Sequence, residues 1–262
     1  VLAAVAEVRK AAAAQGVVAR VFYERETAFR LVDLGQQAAA LANLQEFLAA
    51  VPEPDDGEPA ARRYYASGLV MLAELQHATS DRKSARATAR RAQILAIGPD
   101  PGLMNIRADA FGVETRIAID EGRLDIAYET LAQELALVGQ LTGKGLTLET
   151  LARSCVFEAE FYIQQDRYRP ALKALERYGK SLPQQLATKH LATRLALAES
   201  EQHGDQQAEA ELRRFIADHT LETGFLTAAR IMLLRAAILR GDYVAAQADL
   251  DSLRQLHEAD AR

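Results

Sequence analysis

Apolar residues recur at helical spacing along nearly the whole chain, three and four positions apart, with polar residues between them. Leu44, Phe47 and Leu48 show the pattern, as do Leu131 and Leu135, Leu172 and Leu175, and Leu250 and Leu253. Nowhere do apolar and polar residues alternate for long enough to form a strand. The periodic segments are separated by turn chemistry at Pro52 to Gly57, Gly98 to Gly102, Gly143 to Gly145, and Pro183. An all-α chain is predicted.

A second periodicity lies above the first. Six times a helical segment runs into a short turn, and in five of them an alanine follows five residues after the turn residue. The pairs are Gly35 with Ala40, Ser80 with Ala85, Gly122 with Ala127, Asp166 with Ala171, and Gly241 with Ala246; the fifth turn, Gly204-Asp205, has Glu209 at the expected position, with Ala208 and Ala210 offset by one. Glycine ends a helix where positive φ is needed and aspartate caps the next, so each turn joins two antiparallel helices. The alanine marks their closest approach. The pattern predicts a leading helix over residues 1–14 and six helix pairs over about 17–51, 60–97, 102–140, 146–180, 184–219 and 222–258, in one domain. One pair cannot bury both its apolar faces, so neighbours are expected to stack.

The turn with its following alanine resembles the tetratricopeptide repeat (TPR) family. The resemblance rests on Gly122 with Ala127, on Gly241, Asp242 and Tyr243 with Ala246, and on Asp166 and Tyr168 with Ala171. Ala28, Ala73 and Ala159, with Thr115 as a weaker match, supply the small residue that the family places in the first helix. Three features depart from the family pattern. The turns are 45, 42, 44, 38 and 37 residues apart, longer than the usual period of about 34; the early aromatic of the first helix is mostly absent; and the fifth unit is irregular. The resemblance covers almost the entire chain and implies a right-handed α-solenoid of about six antiparallel TPR-like pairs. Long, irregular repeats of this kind also resemble those of bacterial signalling and transcription-activating proteins, in which the array is one domain among several. The start at Val1 and the charged end from Glu258 to Arg262 fit a piece of a longer polypeptide.

In a TPR-like array the first helices line a concave groove. Aligning on the turns puts Phe22, Arg25 and Phe29 there, then Val70, Glu74 and His77, then Asp109, Arg116 and Ile119. The later pairs contribute Arg153, Glu160 and Ile163, then Leu191, Arg194 and Glu201, then Ile231, Arg235 and Ile238. The recurrent arginines suit a carboxylate through paired hydrogen bonds, and the expected ligand is an acidic or C-terminal peptide held by Arg116, Arg194 and Arg235. The competing expectation is that the groove arginines pair with acids of the wall such as Glu74, Glu160 and Glu201.

Composition narrows the function classes. A net charge of −5 argues against direct nucleic-acid binding, and the basic run Arg82, Lys83, Arg86, Arg90 and Arg91 reads as a solvated helix face. The single Cys155 excludes an intrachain disulfide, which fits the cytoplasm and leaves the periplasm open. No segment is apolar for long enough to span a membrane. The five histidines form no i, i+4 pair, and one cysteine cannot make a thiolate zinc site. Gly139 to Gly145 has one residue too few for a phosphate loop and lacks Ser or Thr after Lys144. No catalytic residue, metal or cofactor is therefore expected. The sequence predicts a scaffold that holds a protein or peptide, with self-association open; the alternative is a ligand-sensing or oligomerising domain of a larger bacterial regulator.

Overall fold

A computed structural model describes residue 10 and residues 16–55, 58–179, 182–201, 205–218 and 223–260. The leading helix expected over residues 1–14 lies almost wholly outside the described residues, as do Gly204, His203 and His219. Among the described residues there are twelve helices and no strand. They are α1 Val17–Asp33, α2 Gln37–Ala50, α3 Pro59–Ala78, α4 Arg82–Leu95, α5 Pro101–Asp120, α6 Leu124–Leu141, α7 Leu148–Ile163, α8 Tyr168–Glu176, α9 Gln184–Ser200, α10 Gln206–Asp218, α11 Thr223–Leu239 and α12 Tyr243–Asp260. The contacts divide the chain into two compact units, residues 1–157 and 158–262.

Five described turns share one geometry. Gly35, Ser80, Gly122, Asp166 and Gly241 all have φ between 55° and 74°. In each the amide of that residue donates to the carbonyl three residues back, and the next amide reaches five residues back: Gly122 to Ile119 and Arg123 to Ala118, both at 2.9 Å, are typical. These bonds satisfy carbonyls that the helix end would otherwise leave open. Only glycine takes this backbone without steric cost, so Ser80 and Asp166 hold it under strain. Ser80 is followed by Asp81, whose Oδ1 accepts from the Ser84 amide at 3.1 Å and caps α4. Asp242 caps α12 in the same way through the Ala245 amide at 3.0 Å.

The alanines after the turns are buried where paired helices meet: Ala40, Ala85, Ala127 and Ala171 have no exposure and Ala246 has 6%. In the irregular fifth pair Ala208 takes the contact, and the buried Glu209 beside it pairs with Arg240. The small residues of the first helices, Ala28, Ala73, Thr115 and Ala159, are also wholly buried. Thr115 fits because its hydroxyl lies within hydrogen-bonding reach of the Thr130 hydroxyl at 2.8 Å and the carbonyl of Phe111 at 3.0 Å.

Within the first unit, α1 packs on α3 and α3 on α5, while α2 and α4 each also touch the following first helix. Val21, Leu31, Leu44, Phe47, Tyr65, Leu69, Val113 and Ile117 make one continuous core through these helices. Tyr65 keeps its polar end satisfied inside it, donating to the Leu48 carbonyl at 3.1 Å and accepting from Arg91 at 2.9 Å. Within the second unit, α9 packs on α8, α10 and α11, and α11 on α12. Its core gathers Leu191, Leu195, Ala208, Leu212, Ala229 and Leu233.

Candidate binding cleft

The first unit contains a cleft of about 370 Å³ whose walls come from first helices only, α1, α3, α5 and α7, together with Thr147 just before α7. Helical spacing brings its residues to one side. On α1 they are Arg25 and Phe29; on α3, Arg63, Tyr64, Ser67, Val70, Met71 and Glu74; on α5, Gly102, Asn105, Ile106 and Asp109; on α7, Glu149, Thr150 and Arg153. Each set repeats at intervals of three or four, so one stripe of each helix faces the same space.

Most of its polar groups are tied to the walls. Arg25 donates from Nε to Ser67 Oγ at 2.8 Å and from Nη1 to Glu26 at 2.7 Å, and its guanidinium lies 4.7 Å over the Phe29 ring. Arg153 bridges two helices, meeting Glu74 at 2.9 Å and Glu149 at 3.4 Å. Asn105 donates to the carbonyls of Pro101 and Gly145 at 2.7 and 2.9 Å and accepts from the Thr147 amide at 3.0 Å.

Asp109 is different. Thr150 Oγ1 donates to its Oδ2 at a long 3.4 Å, while its buried Oδ1 has no hydrogen-bond partner. Burial pushes this carboxyl up to about 7; Glu74 and Glu149 add to the rise, against Arg153 and the Thr150 hydroxyl. Burial also raises Glu74, with Arg153 and Arg116 acting to keep it ionised. Arg153 itself is raised, because Glu74, Asp109 and Glu149 together outweigh the effect of its burial.

Six of the residues expected in the groove, Arg25, Phe29, Val70, Glu74, Asp109 and Arg153, therefore line this cleft. Phe22 lies nearby, its ring edge-on to Tyr64 at 5.2 Å. The rest are placed elsewhere. His77 pairs with Asp120 at 3.0 Å, and its burial lowers its affinity for a proton. Arg116 is on the exposed side of α5. Ile119 is only 5% exposed and belongs to the packed interior, since its position on α5 turns it away from solvent. In the second unit Arg194 spends its guanidinium on Asp205, with Nε and Nη2 each donating at 3.0 Å, and on Glu211 at 3.3 Å. Arg235 lines a separate cleft of about 360 Å³ with Tyr168, Leu195, Met232 and Leu239. Ile238 is 51% exposed.

The sequence expectation overlooked Arg63, Tyr64, Ser67, Met71, Asn105, Thr147, Glu149 and Thr150. Aligning on the turns favours the turn end of each first helix, whereas the cleft on α5 sits toward its other end. The available signal was Asn105, a polar side chain four residues before the expected Asp109 on the same helix.

No family model matches this chain, and no curated protein matches it. Solved structures do. The crystal structure of BtubC (BKLC) from P. vanneervenii is similar with a TM-score of 0.59 at 17% identity, over 87% of this chain and 90% of that one. A Podosopora anserina protein assigned as a kinesin light chain, with nearly identical TPR-like repeats, aligns over 93% of this chain and 97% of its own at 17% identity, with a TM-score of 0.42. The fold is that of a TPR-like helical repeat. No helix among the described residues is long and apolar enough to cross a membrane.

Proposed function

We propose that this chain is a non-catalytic scaffold that binds a protein through a peptide segment laid into the cleft of its first unit. The observation that supports this reading is that every helix of the cleft is the first of its pair, the side on which TPR-like arrays present a groove. The chemistry of the wall fits the same role. Phe29, Val70, Met71 and Ile106 offer apolar contact to a side chain, while the Arg153 cluster and Arg25 hold the walls in place through their own ion pairs. The expected acidic peptide held by Arg116, Arg194 and Arg235 finds less support, since Arg194 is engaged by Asp205 and Arg235 lies 4.0 Å from Glu199.

The test is affinity capture of partners from the source cell on immobilised wild-type chain and on a Met71→Glu variant, whose new charge would sit in the apolar part of the cleft. Partners retained by wild type and lost from a correctly folded variant support the cleft as the binding surface. Equal recovery on both would move the surface elsewhere.

A further inference from the structure

The cleft is lined by six charged side chains, and four of them are matched within the walls: Arg153 with Glu74 and Glu149, and Arg25 with Glu26. Asp109 is not. Its Oδ1 is buried, accepts no hydrogen bond, and forms no ion pair with Arg63, the remaining charge. A buried acceptor without a donor is costly, and beside a cleft a ligand can supply the missing donor.

The surroundings specify which donor fits. Val70, Met71, Ile106 and Phe29 line the same space, so an incoming side chain meets apolar surface along its length and a carboxyl at Asp109. Lysine and arginine have that form, a chain of methylenes ending in a cation. A volume of about 370 Å³ admits a side chain with its flanking backbone and excludes a folded domain. We propose that the cleft is a recognition pocket for a lysine or arginine side chain of the partner segment, with Asp109 as its counter-ion. The inference rests on the reading of the cleft as a peptide site and adds the chemistry of the residue it selects.

The electrostatics of the pocket give the proposal a signature. Arg25 reaches it from α1, Arg63 and Glu74 from α3, and Glu149 and Arg153 from α7, and burial holds the Asp109 carboxyl at about 7. A cation binds the ionised form, so affinity rises with pH. Between pH 6 and pH 8 the ionised fraction of such a group grows about tenfold, and lysine and arginine stay charged throughout.

The experiment is selection from a random 12-residue phage-displayed peptide library on the full chain, followed by titration of the best synthetic peptide against wild type and Asp109→Asn. Asparagine keeps an acceptor for Thr150 and removes the charge, and thermal unfolding checks that the variant is folded. The expected result is a Lys or Arg at one fixed position, binding weakened at least tenfold by Asp109→Asn, and a rise of about tenfold in wild-type affinity from pH 6 to pH 8 that the variant lacks. Selected peptides without a fixed cation, or with affinity indifferent to Asp109→Asn, would overturn the inference and leave the peptide-binding reading standing. A library that yields no binder would overturn both. Agmatine alone binding as tightly as the best peptide would also overturn it, making the ligand a small cationic molecule.

Discussion

Arg194 grips Asp205 with a two-bond fork, Nε to Oδ2 and Nη2 to Oδ1, both at 3.0 Å, and the same Asp205 Oδ1 accepts from the Ala208 amide at 2.9 Å. One carboxylate thus caps α10 and ties it to α9. Arg194→Ala should therefore lower stability by about 1–2 kcal/mol, the scale of lost charge-assisted hydrogen bonds at a half-buried site. Chemical denaturation reads the change. Wild-type stability together with lost partner binding would instead assign Arg194 to recognition.

Asp109 should make the chain less stable as pH rises, the reverse of a salt-bridged carboxylate. Its carboxyl holds a proton up to about 7 in the folded state and loses it near the ordinary carboxylate value when unfolded. The penalty is absent in strong acid, grows as pH climbs through that interval, and is complete above it. Asp109→Asn should leave stability nearly unchanged at pH 4 and raise it by about 1–3 kcal/mol at pH 8, because the amide removes the buried charge that forms only at the higher pH. An equal effect at both pH values would contradict the assigned environment.

Gly112 on α5 lets the Phe157 ring of α7 lie against the helix backbone: a Cβ there would come within 2.4 Å of two ring carbons. Gly112→Ala must displace that ring. A loss of about 1–3 kcal/mol is expected from overpacking, despite alanine's better helix propensity. Increased melting temperature would show that the two helices do not approach this closely.

Ser80 occupies a backbone that three of the other described turns give to glycine, with φ at 65°. Ser80→Gly should stabilise the chain by about 0.5–1 kcal/mol, since relief of the left-handed strain exceeds the extra entropy of an unfolded glycine. Asp166→Gly tests the same geometry in the second unit, although it also removes the bond from Tyr168 Oη at 2.9 Å.

The repeat was legible in the sequence because its signals are local. A turn residue, an alanine five positions on and apolar spacing around them depend only on neighbouring residues, and they marked Gly35, Ser80, Gly122, Asp166 and Gly241 before any fold was known. The cleft was legible in part. Arg25, Phe29, Glu74 and Arg153 could be placed by register, but Arg63 and Thr150 could not, because which turns of adjacent helices enclose a space depends on how the helices pack. The Asp205 fork was equally hidden: an arginine on a first helix reads the same whether its acid belongs to a partner or to the next capping residue. Gly112 gave no signal either, since a helix-interior glycine is explained only by the ring it admits.

The five turns have one further consequence, which concerns where this chain can change length. From turn residue to alanine the distance is always five, and an extra residue between Gly122 and Ala127 would rotate the start of α6 by about 100°, swinging Ala127 and Leu131 out of the contact. The links between successive pairs obey no such rule: eight residues separate α2 from α3, five separate α4 from α5, and six separate α6 from α7. Insertions and deletions are therefore confined by geometry to the links, so a grafted loop or affinity tag placed at 51–58 should leave the pairs intact, whereas one placed in a turn would dismantle the pair it joins.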